Sequence, residues 1–260
     1  MMHHRFAARC GLSLINLIVV IAIILFVLGF LLYFLAASRQ QAFQADTFNN
    51  LRQIAIAVHN YHDNMRKLPP IVGPLQGDPK NQQASILFLL LPYLEHDSVY
   101  RLGREAGLAK VQASTVHVFL ERTDASLPAN QFEGWATNNY AGNWMGFKDG
   151  NNSLVNITDG TSNTLMFAER YQLCNGHPNA WAYPALYYWA PMFAYYSQAK
   201  FQNSPSQAEC DPALPQSIGQ PGIRTAYMDG SARAIDFRIS PRTWWLLCDP
   251  ADNMIIGEDF

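Results

Sequence analysis

An uninterrupted apolar run near the N-terminus dominates the hydrophobic pattern of this chain. No residue from 17 to 37 carries a charge or a strongly polar group, and a helix needs about 20 such residues to cross roughly 30 Å of hydrocarbon. A cleaved secretory signal has a shorter apolar region followed by a small-residue cleavage site, and residues 33–41 contain no such site. The run therefore predicts a retained membrane anchor, with a buried core helix as the alternative interpretation.

Basic residues on the two sides of the run predict its orientation. Arg5, Arg9 and the terminal amine precede it, whereas Arg39 is the basic residue that follows closely. Cytoplasmic flanks carry an excess of Lys and Arg, so we expect the N-terminus in the cytoplasm and the rest of the chain outside. The sequence thus predicts a single-pass protein of the inner (cytoplasmic) membrane, with the lipid bilayer as its first partner.

The helical pattern continues beyond the apolar run. Between residues 43 and 62 apolar side chains recur at steps of three to four, apart from one longer step, and polar side chains fill the opposite face. This is the signature of an amphipathic helix. The proline pair that follows ends it, because proline cannot continue a helix. We expect one helix over about residues 14–64, with a transmembrane half over 12–38 and an amphipathic half over 39–66.

Short elements after residue 66 predict an α+β domain over residues 67–260, with the long helix packed on its antiparallel sheet. Asp229 and Gly230 provide the positive φ angles of a tight two-residue hairpin turn. Ser240 is the expected N-cap of a last helix, with Pro241 in its first turn. The predicted elements are a helix at 84–91, strands at 116–120 and 165–168, a C-terminal hairpin at 223–237 and a short helix after it.

Composition excludes several classes of function. Charged residues make up 15% of the 260 residues and the net charge is -2, so no surface for nucleic acid is expected. None of the four cysteines has a partner at CxxC spacing, which argues against metal clusters of that type, and no cofactor is expected. If the domain lies outside the cytoplasm, Cys174 and Cys210 could form a disulfide, although the sequence alone leaves this pairing open.

The segment GLSLINLIVVIAII, residues 11–24, resembles the prepilin cleavage and methylation segment of type IV pilins and pseudopilins. The resemblance implies a pilin-like fold with pilin-like subunits as partners. It also implies that a prepilin peptidase removes a leader over residues 1–11 by cutting after Gly11, so that Leu12 becomes the N-terminus and the anchor stays. Asn16 departs from the family, which usually has a glutamate there that pairs with a neighbouring subunit's terminal amine.

A second resemblance rests on residues 49–70, 90–100, 139–144, 157–170, 228–247 and 255–260. These segments resemble a large planctomycete-type family of unknown function, which combines a prepilin-type N-terminus with a C-terminal H-x9-DG motif. This chain departs from the family at Gly219, which occupies the histidine position of that motif. It departs again at Glu121 and Arg122, which replace part of a Cys-Pro-Ser-Asp stretch of which Asp124 remains. The residues that match family motifs are His59, His62, Asp159, Gly160, Ser162, Asn163, Asp229 and Gly230.

Two groups of side chains have the chemistry of metal ligands. His59, His62 and Asp63 lie within about one helical turn, but a metal site needs three or four converging ligands. A hydrogen-bonded core role is therefore favoured, and no metal site is predicted there. A later oxygen-rich stretch would suit calcium, although it lacks EF-hand spacing and plain turns are favoured. Its members are Asp149, Asn151, Asn152, Asn156 and Asp159.

The segment DGTSNT, residues 159–164, contains the candidate nucleophile Ser162, and Glu169 with His177 is a candidate acid–base pair. The segment lacks both the Gly-x-Ser-x-Gly elbow and the Walker glycines and lysine. A structural turn is the favoured interpretation, and no enzymatic activity is predicted.

Residues 175–220 show no period and predict a long irregular region that is rich in aromatic residues. Aromatic clusters are common at interfaces and also form the cores of loop regions, so this cluster is a candidate carbohydrate or protein contact surface. Its members are Trp181, Tyr183, Tyr187, Tyr188, Trp189, Phe193, Tyr195 and Tyr196.

Together these observations favour a non-enzymatic, pseudopilin-like, membrane-anchored protein, as a component of a type II secretion or type IV pilus-like assembly. The alternative is a monomeric, membrane-anchored, extracytoplasmic binding module. Asn16 is the argument for the alternative, because asparagine lacks the charge that pilin packing uses.

Overall fold

The computed structural model shows an α+β fold. Gly11, Leu12 and the predicted leader lie outside the described residues, and so does the side chain of Asn16. The structure describes residues 14–75, 77–78, 81–148, 150–196, 199–219, 222–257 and 259, without the side chains of 15, 16 and 35–41.

Helices lie at both ends of the described chain and between the strands. The α-helices of the described residues are α1 (Leu14–Met65), α2 (Ile86–Leu90), α3 (Asp97–Ala106), α4 (Trp144–Phe147) and α5 (Pro241–Cys248). Short 3₁₀ turns lie at Leu91–Leu94, Leu108–Lys110, His117–Phe119 and Leu154–Asn156.

The strands are short. They are β1 (Val72–Pro74), β2 (Gln83–Ser85), β3 (Gln131–Phe132), β4 (Trp135–Ala136), β5 (Tyr140–Asn143), β6 (Leu165–Glu169), β7 (Leu173–Cys174), β8 (His177–Pro178), β9 (Met192–Phe193), β10 (Gln202–Asn203), β11 (Gln216–Ser217), β12 (Ile223–Tyr227) and β13 (Ala232–Ile235).

α1 runs over 52 residues without a break, which confirms the predicted long helix. The chain forms two compact units, residues 1–44 and 45–260, so α1 contributes to both. Within the first unit, Leu17–Phe34 has a mean hydropathy of 3.2 and none of its residues is buried. In the part of the chain that the structure describes, this is the one helical stretch long and apolar enough to cross a membrane.

The C-terminal part of α1 belongs to the core of the second unit. Leu51, Ile54, Ala55 and Val58 are fully buried, and their spacing of three, four and seven residues places them on one face of the helix. They pack in one cluster with buried residues of α2 and of the sheet. The amphipathic half of the helix therefore covers the sheet domain, as the period predicted.

A five-stranded sheet with the order β13-β12-β6-β5-β9 forms the centre of this unit. β5, β6 and β12 are buried along their whole length, because both faces of the sheet are covered. Met166 and Phe167 pack in the cluster that contains α1 and α2. Ala168 packs in a second cluster with Trp244 and Leu247 of α5, so this last helix packs on the sheet.

Two predicted elements need correction. Residues 116–120 form a 3₁₀ turn and not a strand, since a short apolar run alone does not distinguish the two. The helix predicted from residue 84 begins at Ile86, because the Ser85 hydroxyl accepts a hydrogen bond from Phe88 N at 3.2 Å and caps it. The pairs β12–β13, β12–β6 and β5–β6 of the central sheet are antiparallel, as predicted, and β9 joins β5 in parallel at one edge.

The C-terminal hairpin forms from β12 and β13, but its turn is longer than predicted. Gly230 N donates to Tyr227 O, and Tyr227 N donates to Ser231 O, both at 2.9 Å. Gly230 has a φ of 85°, whereas Asp229 is not among the residues with positive φ. This is a type I turn followed by one left-handed residue. It requires glycine at one position, which corrects the predicted two-residue turn.

The start of α5 agrees with the sequence prediction. The Ser240 hydroxyl accepts a hydrogen bond from Thr243 N at 3.1 Å, and Pro241 occupies the first turn of the helix. A serine cap satisfies one of the free N–H groups at a helix start, and proline has no N–H to lose there.

Candidate functional site

Three segments that carry predicted motif residues meet in the second unit: α1 at His59, the DGTSNT segment and the Asp229-Gly230 turn. Asp229 N of the hairpin turn donates to Thr161 O at 3.0 Å, and Met228 N donates to Thr164 O at 2.9 Å. The ring of His59 lies against the same turn, since a Cβ placed on Gly230 would lie 3.6 Å from His59 Nε2. The structure thus brings the α1 histidine, the DGTSNT segment and the Asp-Gly turn together, although they are distant in sequence.

The two α1 histidines have different surroundings. His62 Nε2 lies 2.9 Å from Ser153 Oγ, and His62 Nδ1 lies 3.8 Å from an Asp63 carboxylate oxygen. His59 Nε2 is buried and has no hydrogen-bond partner within the described residues. The described residues also contain no group of three or more His, Cys, Asp and Glu side chains that could hold a metal ion.

The DGTSNT segment forms a turn whose polar groups bind its own backbone and the C-terminal segment. The Asp159 carboxylate accepts from Asp252 N at 2.9 Å and from Asn253 N at 2.8 Å. Asn163 Nδ2 donates to Asp159 O, and Thr164 Oγ1 donates to Gly160 O. These contacts are those of a structural turn, so Asp159 ties the C-terminal segment to the start of β6.

The side chains considered for catalysis lie in different surroundings. Ser162 is exposed, and its backbone carbonyl accepts from Arg233 Nη2 at 3.0 Å. Glu169 is fully buried and pairs with Arg224. The ring of His177 packs against Tyr188 at 5.5 Å between centroids. Within the described residues no hydrogen bond or ion pair joins any two of Ser162, Glu169 and His177.

The oxygen-rich stretch also serves the backbone. Asp149 lies outside the described residues. Asn152 Nδ2 donates to Gly146 O at 2.8 Å, and Asn156 Oδ1 accepts from Ser153 N at 3.1 Å in a capping box. With Asp159 bound to the C-terminal segment, these three side chains hydrogen-bond to backbone groups, and none of the contacts has the i to i+2 spacing of an Asx turn.

The predicted aromatic surface divides into a buried part and an exposed part. Trp181 is fully buried, donates from Nε1 to Ser114 O at 2.9 Å, and stacks on Phe88. Its prediction as a surface residue is therefore wrong, because the core of the second unit encloses it. Tyr183 and Trp189 are half-buried and pack on each other at 5.6 Å.

The exposed part, which we call the tyrosine surface, covers a shallow depression above Arg170. The rings of Tyr188 and Tyr196 stack at 4.4 Å between centroids, which uses one face of each. Leu186, Tyr187 and Tyr196 each expose 42% of their surface. The tyrosine surface consists of the exposed Leu186, Tyr187, Tyr195 and Tyr196 together with the half-buried Tyr188.

A group of buried charges was not predicted from the sequence. Arg224 Nη1 lies 2.8 Å from Glu121 Oε1, and Arg224 Nε lies 2.9 Å from Glu169 Oε2. The two carboxylate side chains are fully buried and the arginine side chain is 5% exposed. Thr47 of α1 joins the group by donating to Glu121 Oε2 at 2.6 Å. We call Thr47, Glu121, Glu169 and Arg224 the buried charge cluster.

One sequence feature could have indicated this cluster. β6 reads LMFAE and all five residues are buried, so its glutamate ends an otherwise apolar strand. A charged side chain in a strand with both faces covered is rarely left without a partner. The signal would have shown that Glu169 needs a buried cation, but not that the cation is Arg224.

Comparisons with known proteins support the resemblance in part. Residues 36–131 match the model of a family described as a protein of unknown function (DUF1559). The matched range includes Thr47, His59, His62 and Glu121, and it begins after the prepilin-like segment. No curated protein and no solved structure matches the chain. The match supports a family of unknown function and assigns no activity.

Proposed function

We propose that this chain is a membrane-anchored, non-enzymatic protein of the pseudopilin type. Its anchor lies in the inner membrane, its N-terminus lies in the cytoplasm, and its sheet domain lies on the extracytoplasmic side. In this role the anchors of several subunits pack side by side in a type II secretion or type IV pilus-like assembly, and the domains are displayed around them.

The observation that carries the proposal is the change of character along one continuous helix. Leu17–Phe34 buries none of its residues, although it consists of large apolar side chains that are costly to expose to water. Leu51, Ile54 and Val58 of the same helix are fully buried in the domain. The exposed apolar half of α1 needs lipid or other helices around it, whereas the other half packs on the domain. A single uninterrupted helix that is retained can make both kinds of contact.

The sequence around the anchor supports prepilin processing. Gly11 stands directly before Leu12 and the apolar run, as the resemblance to prepilins requires. We expect mass spectrometry of the membrane-extracted protein to find Leu12 as its first residue, with or without an added methyl group. A Gly11→Leu variant should keep residues 1–11. Recovery of the wild-type chain at full length from the soluble fraction would contradict both the anchor and its processing.

The tyrosine surface favours a second candidate, a monomeric anchored module that binds carbohydrate or protein. Four of its side chains expose between 40 and 42% of their surface, and exposed clusters of this kind mark contact sites. Asn16 fits this candidate because it lacks a charge.

One comparison separates the two candidates. If wild-type chains crosslink through the membrane-spanning half in native membranes, the pseudopilin proposal holds. If crosslinks or filaments form only in an Asn16→Glu variant, the wild-type chain is the monomeric module.

A further inference from the structure

The buried charge cluster holds more negative than positive charge. Its titratable side chains are two carboxyl groups and one guanidinium, and neither glutamate side chain is exposed. With all three ionised the cluster would carry a net charge of -1 inside the protein. An uncompensated charge in the interior is strongly unfavourable, and such a group normally changes its protonation state.

The hydrogen bonds distinguish the two carboxyl groups. Glu121 accepts from three side chains: Thr47 Oγ1 at 2.6 Å, Thr123 Oγ1 at 2.6 Å and Arg224 Nη1 at 2.8 Å. Glu169 Oε1 accepts two longer backbone bonds, at 3.1 and 3.2 Å. Glu169 Oε2 lies close to Arg224 Nε but is not aligned for a hydrogen bond. Glu169 is therefore the weaker acceptor and the better site for a proton.

The groups that face Glu169 from neighbouring elements add little positive charge. β12 contributes Arg224, whose Nη2 also donates to Ile218 O at 2.7 Å. Tyr140 of β5 faces both carboxyl groups, and burial raises its pKa, which keeps it neutral. Tyr171 is neutral as well, because burial and the nearby carboxyl groups of Asp124 and Glu169 raise its pKa. Thr47 and Asn50 face the cluster from α1 and are uncharged.

We propose that Glu121, Glu169 and Arg224 form a proton-binding site that attaches the α1 segment around Thr47 to the sheet. Glu169 keeps its proton at neutral pH. When it loses the proton, the second negative charge competes with Glu121 for Arg224. Arg224 Nη1 and Glu121 both bind the Thr47 hydroxyl. Loss of the proton therefore weakens the attachment of the α1 turn around Thr47 to the sheet.

The direction of the pH dependence follows from the raised pKa of Glu169. Burial raises this pKa from 4.5 to about 8, against the opposing effect of Arg224. Between these two values the folded state binds more protons at Glu169 than the unfolded state does. The contribution of Glu169 therefore makes the protein less stable as pH rises from about 5 to about 8, with the unfolding equilibrium constant rising up to about tenfold per pH unit.

The test uses the full-length chain in detergent micelles, unfolded by urea at several pH values between about 5 and 9. We expect wild type to lose more stability across this range than Glu169→Gln, whose amide cannot titrate, while the two proteins agree at the acid end. Hydrogen exchange corrected for intrinsic rates should show lower protection of residues 47–51 at alkaline pH in wild type only. Equal pH slopes in both proteins, or unchanged protection of residues 47–51 in wild type, would overturn the proposal.

Infrared spectroscopy of the wild-type protein provides a test that does not require Glu169→Gln to fold. Wild type at neutral pH should show a buried carboxylic acid C=O band that disappears at alkaline pH. Glu121→Gln is the matched control, because it leaves one carboxylate for one guanidinium and should lack this band at neutral pH. Absence of the band from wild type would show that Glu169 holds no such proton. Its persistence in Glu121→Gln would show that the protonation does not depend on the charge of Glu121, and either result would overturn the proposal.

Discussion

At the scale of single residues, Arg170 connects the central sheet to the irregular segment after it. The side chain is 1% exposed. Its Nη1 donates to the carbonyls of Ala190 and Met192, and its Nη2 donates to those of Tyr188 and Pro212, over distances of 2.6 to 3.2 Å. Burial lowers the pKa of the guanidinium to about 10, so it stays charged at neutral pH and strengthens all four bonds.

Replacing Arg170 should therefore cost more stability than the loss of one hydrogen bond. We expect Arg170→Met to destabilise the folded chain by about 3 kcal/mol or more, because several buried carbonyls lose their donor. Arg170→Lys should lose less, since an ammonium keeps the charge but cannot reach all four carbonyls in the fork geometry of arginine. Urea unfolding of the full-length protein in detergent measures both.

Arg101→Met is the matched control for these variants. Arg101 lies on α3 and is exposed, and exposed substitutions usually change stability by less than about 0.5 kcal/mol. Equal losses in Arg170→Met and Arg101→Met would show that the four carbonyl contacts do not stabilise the fold.

At the scale of elements, the half of α1 that belongs to the domain has one buried face and one exposed face. Ile54 is fully buried, whereas Ile56, two residues later, exposes 54% of its surface. Two residues correspond to about 200° around a helix of 3.6 residues per turn. The same residue type therefore lies on opposite faces of one helix within a single turn.

This pair gives a matched test of the packing of α1 on the sheet. Ile54→Ala should destabilise the protein by about 2–5 kcal/mol, the range for truncating a buried isoleucine. Ile56→Ala should be close to neutral, because it removes little buried surface and alanine is the better helix former. Both are measured by urea unfolding of the full-length chain. A larger loss in Ile56→Ala than in Ile54→Ala would reverse our assignment of the buried face.

At the scale of the whole molecule, the anchor and the disulfide bear on the same question of compartment. Cys174 and Cys210 are joined by a disulfide that closes 36 residues of sequence, whereas Cys248 is a buried free thiol. Structural disulfides persist outside the cytoplasm and are rare within it. The disulfide thus agrees with the proposal that the anchor places the domain on the extracytoplasmic side.

Thiol alkylation of acid-quenched cells tests this arrangement. After denaturation without a reductant, we expect Cys248 to be alkylated, while Cys174 and Cys210 react only after reduction. Cys248 serves as the internal control, because burial protects it in the folded protein but not in the denatured chain. Alkylation of all three cysteines without reduction would place the domain in a reducing compartment.

The amino-acid sequence was sufficient to predict the features that depend on neighbouring residues. The apolar run and the period after it predicted α1 to within one residue at its end. The Ser240-Pro241 pair predicted the start of α5, and the β-strand at 165–168 was found one residue longer. These features follow from local periodicity and capping, which act over a few residues and need no knowledge of the rest of the chain.

Which polar groups meet and which aromatic residues are buried became clear from the three-dimensional fold alone. Thr47 contacts Glu121 across 74 residues and Arg224 across 177 residues of sequence. Trp181 shares the aromatic composition of the tyrosine surface but lies in the core, and the two-residue strand β9 joins β5 in parallel. Contacts of this kind join residues that are distant in sequence, so they depend on how the whole chain folds. Patterns of neighbouring residues do not predict them.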